Sequence, residues 1–331
     1  AECFGRPLVR HEASARRIEA YFRSIGRPMT ENNYQQAMLP EGCTVLDNDW
    51  GTAPGVAFEA DGVHVVMLPG PPRECRAMFQ YRVAPYLRAC SDGAICSRTL
   101  RIFGMGESLV ESMLRSQMNA MQNPTLAPYA KEGECYMRVT AKAHTAEGAD
   151  TLCQPLIEEI KRRVGDFVYS VDTESLEELV VSELKAQGKT LATAESCTGG
   201  LLSKRLTDVS GASEVFHMGC VTYANQAKED LLSVSHETLA QYGAVSEQTA
   251  REMAEGIVRR SGSSLGVGIT GIAGPGGTAE KPVGLIYIAL SDGERTWVTK
   301  RSPIGRTKSR EWHRHCAASQ ALDMVRRYLE G

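Results

Sequence analysis

Residues Thr193–Gly200 read TAESCTGG, and the fold of the C-terminal half turns on them. Just upstream, Thr190–Ala194 is a short run that reads as a buried strand. Just downstream, Leu201–Leu206 (LLSKRL) opens a helical period. A strand, a tight turn and a helix start lift a side chain clear of a sheet and aim backbone N–H groups at one place. Ser196 and Cys197 occupy that turn, so a candidate nucleophile and anion-binding donors coincide. A plainer reading stays open at this point: Ser196 or Thr198 caps the helix, and Gly199–Gly200 only permit close packing.

The pattern continues on both sides. Glu174–Ala186 is expected as a helix, with Leu176, Leu179, Val180 and Leu184 on one stripe and Gly188 at its end. Val215–Ala224 reads as a strand and Asn225–Leu232 as a helix carrying Lys228. His236 is placed in a loop, and Ser246 caps a helix Glu247–Arg260. Leu265–Thr270 is a nearly continuous apolar strand that delivers a second glycine-rich loop, Gly271–Gly277 (GIAGPGG). Strands at Val283–Leu290 and Thr296–Lys300 follow, and Arg306–Tyr328 is expected as a long closing helix.

Length and composition bound the alternatives. A chain of 331 residues with 42% hydrophobic and 23% charged residues has the make-up of a soluble protein of two or three domains. No apolar run approaches the roughly 20 residues that span a bilayer, so no membrane partner is expected. The net charge is −3, and the densest basic cluster, Lys161–Arg163, falls in a helical pattern that reads as a solvated face. No nucleic-acid partner is therefore expected. The ten cysteines form no C-x-x-C pair, and the chain opens on AECFGRPLV without a signal peptide. Reduced thiols and a cytoplasmic location are expected, as is a start inside a domain.

Upstream, Glu12–Ile25 has helical spacing stopped by Gly26. Val56–Ala60 and Val63–Leu68 read as strands, the second emptying into Pro69–Glu74 (PGPPRE) before a helix at Ala77–Leu87. This recurrence predicts an α/β sheet with its loops at one edge. From about Ser97 to Asp172 the order β-α-β-β-α-β suits a small split-βαβ unit.

A serine hydroxyl needs a base at neutral pH. None of the seven histidines stands in a motif, there is no G-x-S-x-G elbow, and Gly199 stands where the lysine of S-x-x-K would be. Lys228 is one candidate base if its environment lowers its pKa, and Tyr223 could share its proton. Cys197 is the competing nucleophile, at a helix start that would favour its thiolate.

TAESCTGG, then GCVTYANQAK, GAVSEQTAREMA and GITGIAGPGGTAEKPVG together resemble the C-terminal domain of the CinA family of bacterial nicotinamide mononucleotide amidases. Upstream, NNYQQAMLP, GTAPG and LPGPPRE resemble that family's molybdopterin-binding-like N-terminal domain. The middle unit is similar to its KH-like domain, although no G-x-x-G loop is present. The resemblance implies an α/β multi-domain chain: 1–92, an N-terminally shortened molybdopterin-binding-like domain; 93–172, KH-like; 173–331, the amidase domain.

The resemblance also implies a serine–lysine hydrolase that turns nicotinamide mononucleotide into nicotinate mononucleotide and ammonia. Ser196 is then the nucleophile and Lys228 the base, with Tyr223 assisting. Cys197, Thr198, Gly199, Gly200, Thr270, Gly271 and Gly274 would line the pocket, and Arg314 would meet the phosphate of this small nucleotide. No cofactor is expected for the amidase, and self-association into a homo-oligomer is. Family members carry an N-terminal G-G-x-G-P-T-x-x-D-D stretch linked to a divalent metal and ADP-ribose pyrophosphatase activity. That stretch does not occur in this sequence, so pyrophosphatase activity is not expected, and part of the N-terminal hydrophobic face is expected to lie open or under a partner. A non-catalytic, competence-associated nucleotide-binding scaffold is the rival reading.

Overall fold

The computed structural model describes residues 1–131, 133–173, 175–302 and 308–331. The chain divides into two compact units, Ala1–Ala94 and Ile95–Gly331.

In the first unit Leu8–Arg10 pairs antiparallel with Met38–Pro40, and helix Glu12–Ser24 buries Ala15 and Ile18 beside Ala37. Thr44–Leu46, Gly55–Ala60 and Val63–Met67 form a three-stranded antiparallel meander. This corrects the strand–loop–helix repeat expected for this part. The reason is local: Asp61 and Gly62 both adopt positive φ, 52° and 74°, which is the two-residue turn that folds a strand straight back on its neighbour. The helix expected at Ala77–Leu87 starts earlier, at Pro72: Pro72–Met78 continues through a π-helical turn into Ala84–Cys90. Leu8, Val9 and Met67 stand exposed on their strands.

The second unit begins with the β-α-β-β-α-β order expected of it. Strand β1 (Ala94–Phe103) leads to helix α1 (Glu107–Ala120), β2 (Thr125–Lys131), β3 (Glu134–Ala143), α2 (Ala146–Val164) and β4 (Val168–Val171), in the sheet order β2-β3-β1-β4. Strand β3 alternates buried and half-buried residues along its first eight positions, the period-two signature of a sheet covered on one face. The basic run of α2 is self-paired: Lys161 bonds Glu158, and Arg162 and Arg163 bond Glu159.

The C-terminal part is built on a five-stranded mixed sheet. Helix α3 (Leu176–Ala186), capped by Ser175, precedes β5 (Leu191–Glu195), α4 (Leu201–Thr207) and β6 (Phe216–Val221). Helices α5 (Asn225–Leu232), α6 (His236–Tyr242) and α7 (Glu247–Ser261) lead to β7 (Leu265–Gly271), β8 (Ile286–Ser291), β9 (Thr296–Arg301) and α8 (Arg310–Glu330). The sheet order is β6-β5-β7-β8-β9. The first three strands are parallel and the last two antiparallel. His236, expected in a loop, is instead the first residue of α6, whose cap is Ser235. Residue 174 and residues 306–307, placed in helices from the sequence, lie outside the described residues.

Strand β5 is buried at every position, and the small residues Gly266 and Gly268 of β7 let α7 settle on the sheet. A Cβ at Gly268 would stand 2.4 Å from the Ala250 carbonyl. On the opposite face α3, α4 and α8 pack over Leu191, Val267 and Ile269. That core also takes in Phe103 and Tyr169 from the preceding split-βαβ part, and Arg326 of α8 donates to the Asp166 carbonyl at 3.1 Å. The split-βαβ part keeps a core of its own around Leu100, Val139 and Ile160, and these contacts join it to the C-terminal part.

Candidate active site

The chain leaves β5 with its backbone ladder still running. Ser196 N–H donates to the Ile269 carbonyl of β7 at 2.9 Å, and Thr222 N–H donates to the Glu195 carbonyl at 2.9 Å. Ser196 is thus held at the carboxyl edge of three parallel strands, where loops gather in such sheets. The turn then reverses through Gly199 and Gly200, with φ of 59° and 88°, values that favour glycine. Gly199 N–H closes the turn on the Ser196 carbonyl at 3.1 Å. Among the described residues the N–H groups of Cys197 and Thr198 meet no backbone carbonyl.

Because side chains alternate along a strand, Glu195 and Ser196 face opposite ways. Glu195 is fully buried and its carboxylate accepts from Leu202 N–H (3.1 Å), Ser203 N–H (2.8 Å) and Ser203 Oγ (2.6 Å). It is spent on the start of α4 and is no partner of Lys228.

Lys228 arrives from α5 on the other face. It is 0% exposed, and its Nζ donates to the Thr222 carbonyl at 2.7 Å, the Tyr223 carbonyl at 3.1 Å and Ser196 Oγ at 3.4 Å. Burial lowers its pKa, with the nearby Cys197 opposing slightly. Ser196 is 9% exposed. A serine hydroxyl and a desolvated amine thus meet, with the amine's other hydrogen bonds made to main-chain oxygens.

The remaining expected residues sort themselves around this pair. Tyr223 reaches Lys228 through its carbonyl; its phenol is 62% exposed and receives a hydrogen bond from Arg310 Nη2 at 3.2 Å. Cys197 points into the core, and burial pushes its thiol pKa up to about 12. Thr270 stands on the neighbouring strand end, its hydroxyl donating to the Ala244 carbonyl at 2.6 Å. Gly271 is a close approach, since a Cβ there would meet the Leu285 carbonyl at 2.7 Å. Arg314 does reach the turn: its Nε and Nη2 donate to the Thr198 carbonyl at 3.1 and 2.6 Å.

Two contributors were missed in the sequence. Arg310, one helical turn before Arg314, donates to the Gly274 carbonyl at 2.7 Å as well as to Tyr223. The two arginines thereby tie the serine turn, the glycine-rich loop and the Tyr223 loop to one helix. Their i, i+4 spacing was the available signal. The second is Thr222, whose carbonyl accepts from Lys228 Nζ at 2.7 Å and whose buried hydroxyl has no partner among the described residues.

Residues 173–329 match the CinA C-terminal domain, residues 97–170 the damage-inducible protein CinA KH domain, and residues 1–89 a probable molybdopterin binding domain. A CinA-like protein of Desulfovibrio desulfuricans is 48% identical over 100% of this chain and 78% of its own length. The chain belongs to the CinA family. A putative competence-damage inducible protein of Acetivibrio thermocellus is 48% identical to this CinA chain, over 99% of it and 79% of its own length. Among solved structures, the competence/damage inducible protein CihA of Agrobacterium tumefaciens is 41% identical. It covers 47% of this chain and 96% of that one, with a TM-score of 0.45. Among the described residues of this CinA protein, no group of three or more His, Cys, Asp or Glu could hold a metal ion. No helix among them is long and apolar enough to cross a membrane.

Proposed function

We propose that this protein hydrolyses the carboxamide of nicotinamide mononucleotide to nicotinate mononucleotide and ammonia, with Ser196 as nucleophile and Lys228 as base. The supporting observation is the setting of Lys228 Nζ: fully buried, on two carbonyls, and 3.4 Å from Ser196 Oγ. A neutral amine has two N–H bonds and one lone pair. The carbonyls of Thr222 and Tyr223 take the two N–H bonds, which leaves the lone pair for the serine proton. Burial favours that neutral form, because desolvation penalises the ammonium.

The chemistry then follows. Lys228 takes the Ser196 proton as Oγ attacks the carboxamide carbon. The N–H groups of Cys197 and Thr198 receive the oxyanion, a contribution on the order of 3 kcal/mol per donor. Lys228 returns the proton to the departing nitrogen, ammonia leaves, and water hydrolyses the acyl-enzyme. Arg314 and Arg310 put two guanidinium groups beside the turn, the geometry suited to a phosphate.

The test is ammonia release from nicotinamide mononucleotide. Ser196→Ala should abolish it; full activity in that variant sinks the reading. Incubation with ADP-ribose separates it from the pyrophosphatase alternative, and a scaffold would turn over neither compound.

A further inference from the structure

One side chain holds the serine turn from outside. Arg314 Nε and Nη2 both donate to the Thr198 carbonyl, at 3.1 and 2.6 Å, and Leu201 N–H donates to the same oxygen at 3.2 Å. Thr198 is 0% exposed. A Cβ on Gly199 would stand 3.5 Å from Arg314 Nη2, so the guanidinium lies against the bare backbone of the turn. A trans peptide is planar, with its C=O and N–H pointing opposite ways. Holding the Thr198 carbonyl therefore also directs the Gly199 N–H, which donates to the Ser196 carbonyl at 3.1 Å. The Ser196 carbonyl in turn shares its plane with the Cys197 N–H. Two planar peptides and one hydrogen bond thus link Arg314 to the Cys197 N–H, and the Thr198 N–H belongs to the peptide between those two. At the other end Ser196 N–H is fixed on the Ile269 carbonyl at 2.9 Å. The two N–H groups enclosed by these anchors are the two that meet no backbone carbonyl among the described residues.

We propose that Arg314 is a positioning residue: its guanidinium clamps the serine turn and keeps the Cys197 and Thr198 N–H groups directed at the developing oxyanion. The inference rests on the serine–lysine reading of the site and divides the work of its two arginines. Arg310 is exposed, and its donors go to the Gly274 carbonyl and the exposed Tyr223 phenol. A phosphate is a stronger acceptor than either, so Arg310 is the guanidinium that a nucleotide can draw to itself. Arg314 is half-buried, and its Nε–Nη2 edge is spent on main chain. Misdirected oxyanion donors weaken the transition state and leave substrate binding alone. A lysine would keep the charge but lacks the planar fork that sets two donors on one oxygen. The share of time the clamp is closed sets how often both N–H groups are aligned.

The experiment uses the whole chain and compares the parent with Arg314→Ala, Arg314→Lys and Arg310→Ala. Ammonia release from nicotinamide mononucleotide gives kcat and KM, and calorimetry gives the affinity for nicotinate mononucleotide. In both Arg314 variants kcat should fall by about tenfold to a hundredfold, while KM and the product's Kd stay within about twofold of the parent. In Arg310→Ala the product should bind about tenfold more weakly. A third probe is the aldehyde analogue of the substrate, to which Ser196 Oγ adds as its proton passes to Lys228, leaving a tetrahedral oxyanion. Arg314→Ala should weaken that analogue by the same factor as kcat, a coupling that a loss of general stability would not produce. Weaker product binding with kcat retained, an unmoved aldehyde affinity with kcat lost, or unaltered turnover overturns the assignment. If Arg314→Ala does not fold, Arg314→Lys gives the same readings with the charge kept. A parent protein that releases no ammonia refutes the amidase reading and this inference with it, a result seen before any variant is measured.

Discussion

Two buried ionisable groups flank the end of β5, one on each face of the sheet, and their surroundings give them opposite characters. Glu195 accepts from two backbone N–H groups and a hydroxyl at the start of α4. It is a carboxylate used as a peg, and its charge is matched by the positive end of a helix. Lys228 meets no carboxylate within its hydrogen-bonding shell, only two carbonyls and a serine hydroxyl. Burial outweighs the opposing influence of Cys197 and drives it toward the neutral amine. Equally buried, the carboxyl group is taken up by the start of α4, whereas burial pushes the amine toward its neutral form.

The sharpest way to break this contrast is Lys228→Arg, which keeps a cation but cannot supply a neutral base. Ammonia release should fall by about a thousandfold, and near-normal turnover would reduce the residue to a phosphate contact. Its pH dependence carries the same content. The folded-state pKa lies below the unfolded value of about 10.4, so between the two the unfolded chain binds more protons. Stability therefore rises with pH across that window, and below it the burial penalty is constant. Activity should rise with pH through the lowered pKa. In Lys228→Met, urea midpoints measured from pH 8 to 10 should lose that component of the slope.

A smaller effect is expected on the other face. Glu195→Gln keeps the shape but replaces a charged acceptor with an amide, and should cost about 2–3 kcal/mol in chemical denaturation. The acid limb of the activity profile should stay where it is, since Glu195 is no partner of Lys228. A shift of that limb would merge the two sites into one coupled pair. The smallest effect is assigned to Cys197, whose thiol pKa of about 12 leaves almost no thiolate at neutral pH. Cys197→Ala should retain most ammonia release and cost about 1 kcal/mol of core packing. Loss of activity there, with Ser196→Ala still active, would exchange the nucleophiles.

The strand–turn–helix around Ser196 was legible because its signals are local: an apolar run, then a glycine pair and the start of a helical period. The split-βαβ order was legible for the same reason. In the N-terminal unit the strands Val56–Ala60 and Val63–Leu68 were legible, but their antiparallel pairing through Asp61–Gly62 was not, because the strand–loop–helix order that follows also suits an α/β sheet. Helix α6 was missed because seven residues give too few periods to register. Glu195 facing away from Lys228 follows from strand alternation once the strand is extended to residue 195. Arg310 had only its i, i+4 spacing from Arg314 as a signal, and Thr222 depends on which loop lies beside which, which is fixed by sheet register rather than by spacing in the chain.

The hydrogen bonds that continue the ladder past β5 also divide the motions of the site by timescale. Ser196 and Thr222 amides are tied to neighbouring strands, so displacing the nucleophile means opening the sheet, an event as rare as sub-global unfolding. The Arg310 and Arg314 bonds to Gly274, Tyr223 and Thr198 are side-chain bonds, and a half-exposed guanidinium changes rotamer in nanoseconds. Amide exchange at residues 196 and 222 should accordingly be among the slowest in the chain. The arginine contacts of the site thus rearrange on the fast timescale of side chains, while Ser196 and Thr222 keep the slow one of the sheet.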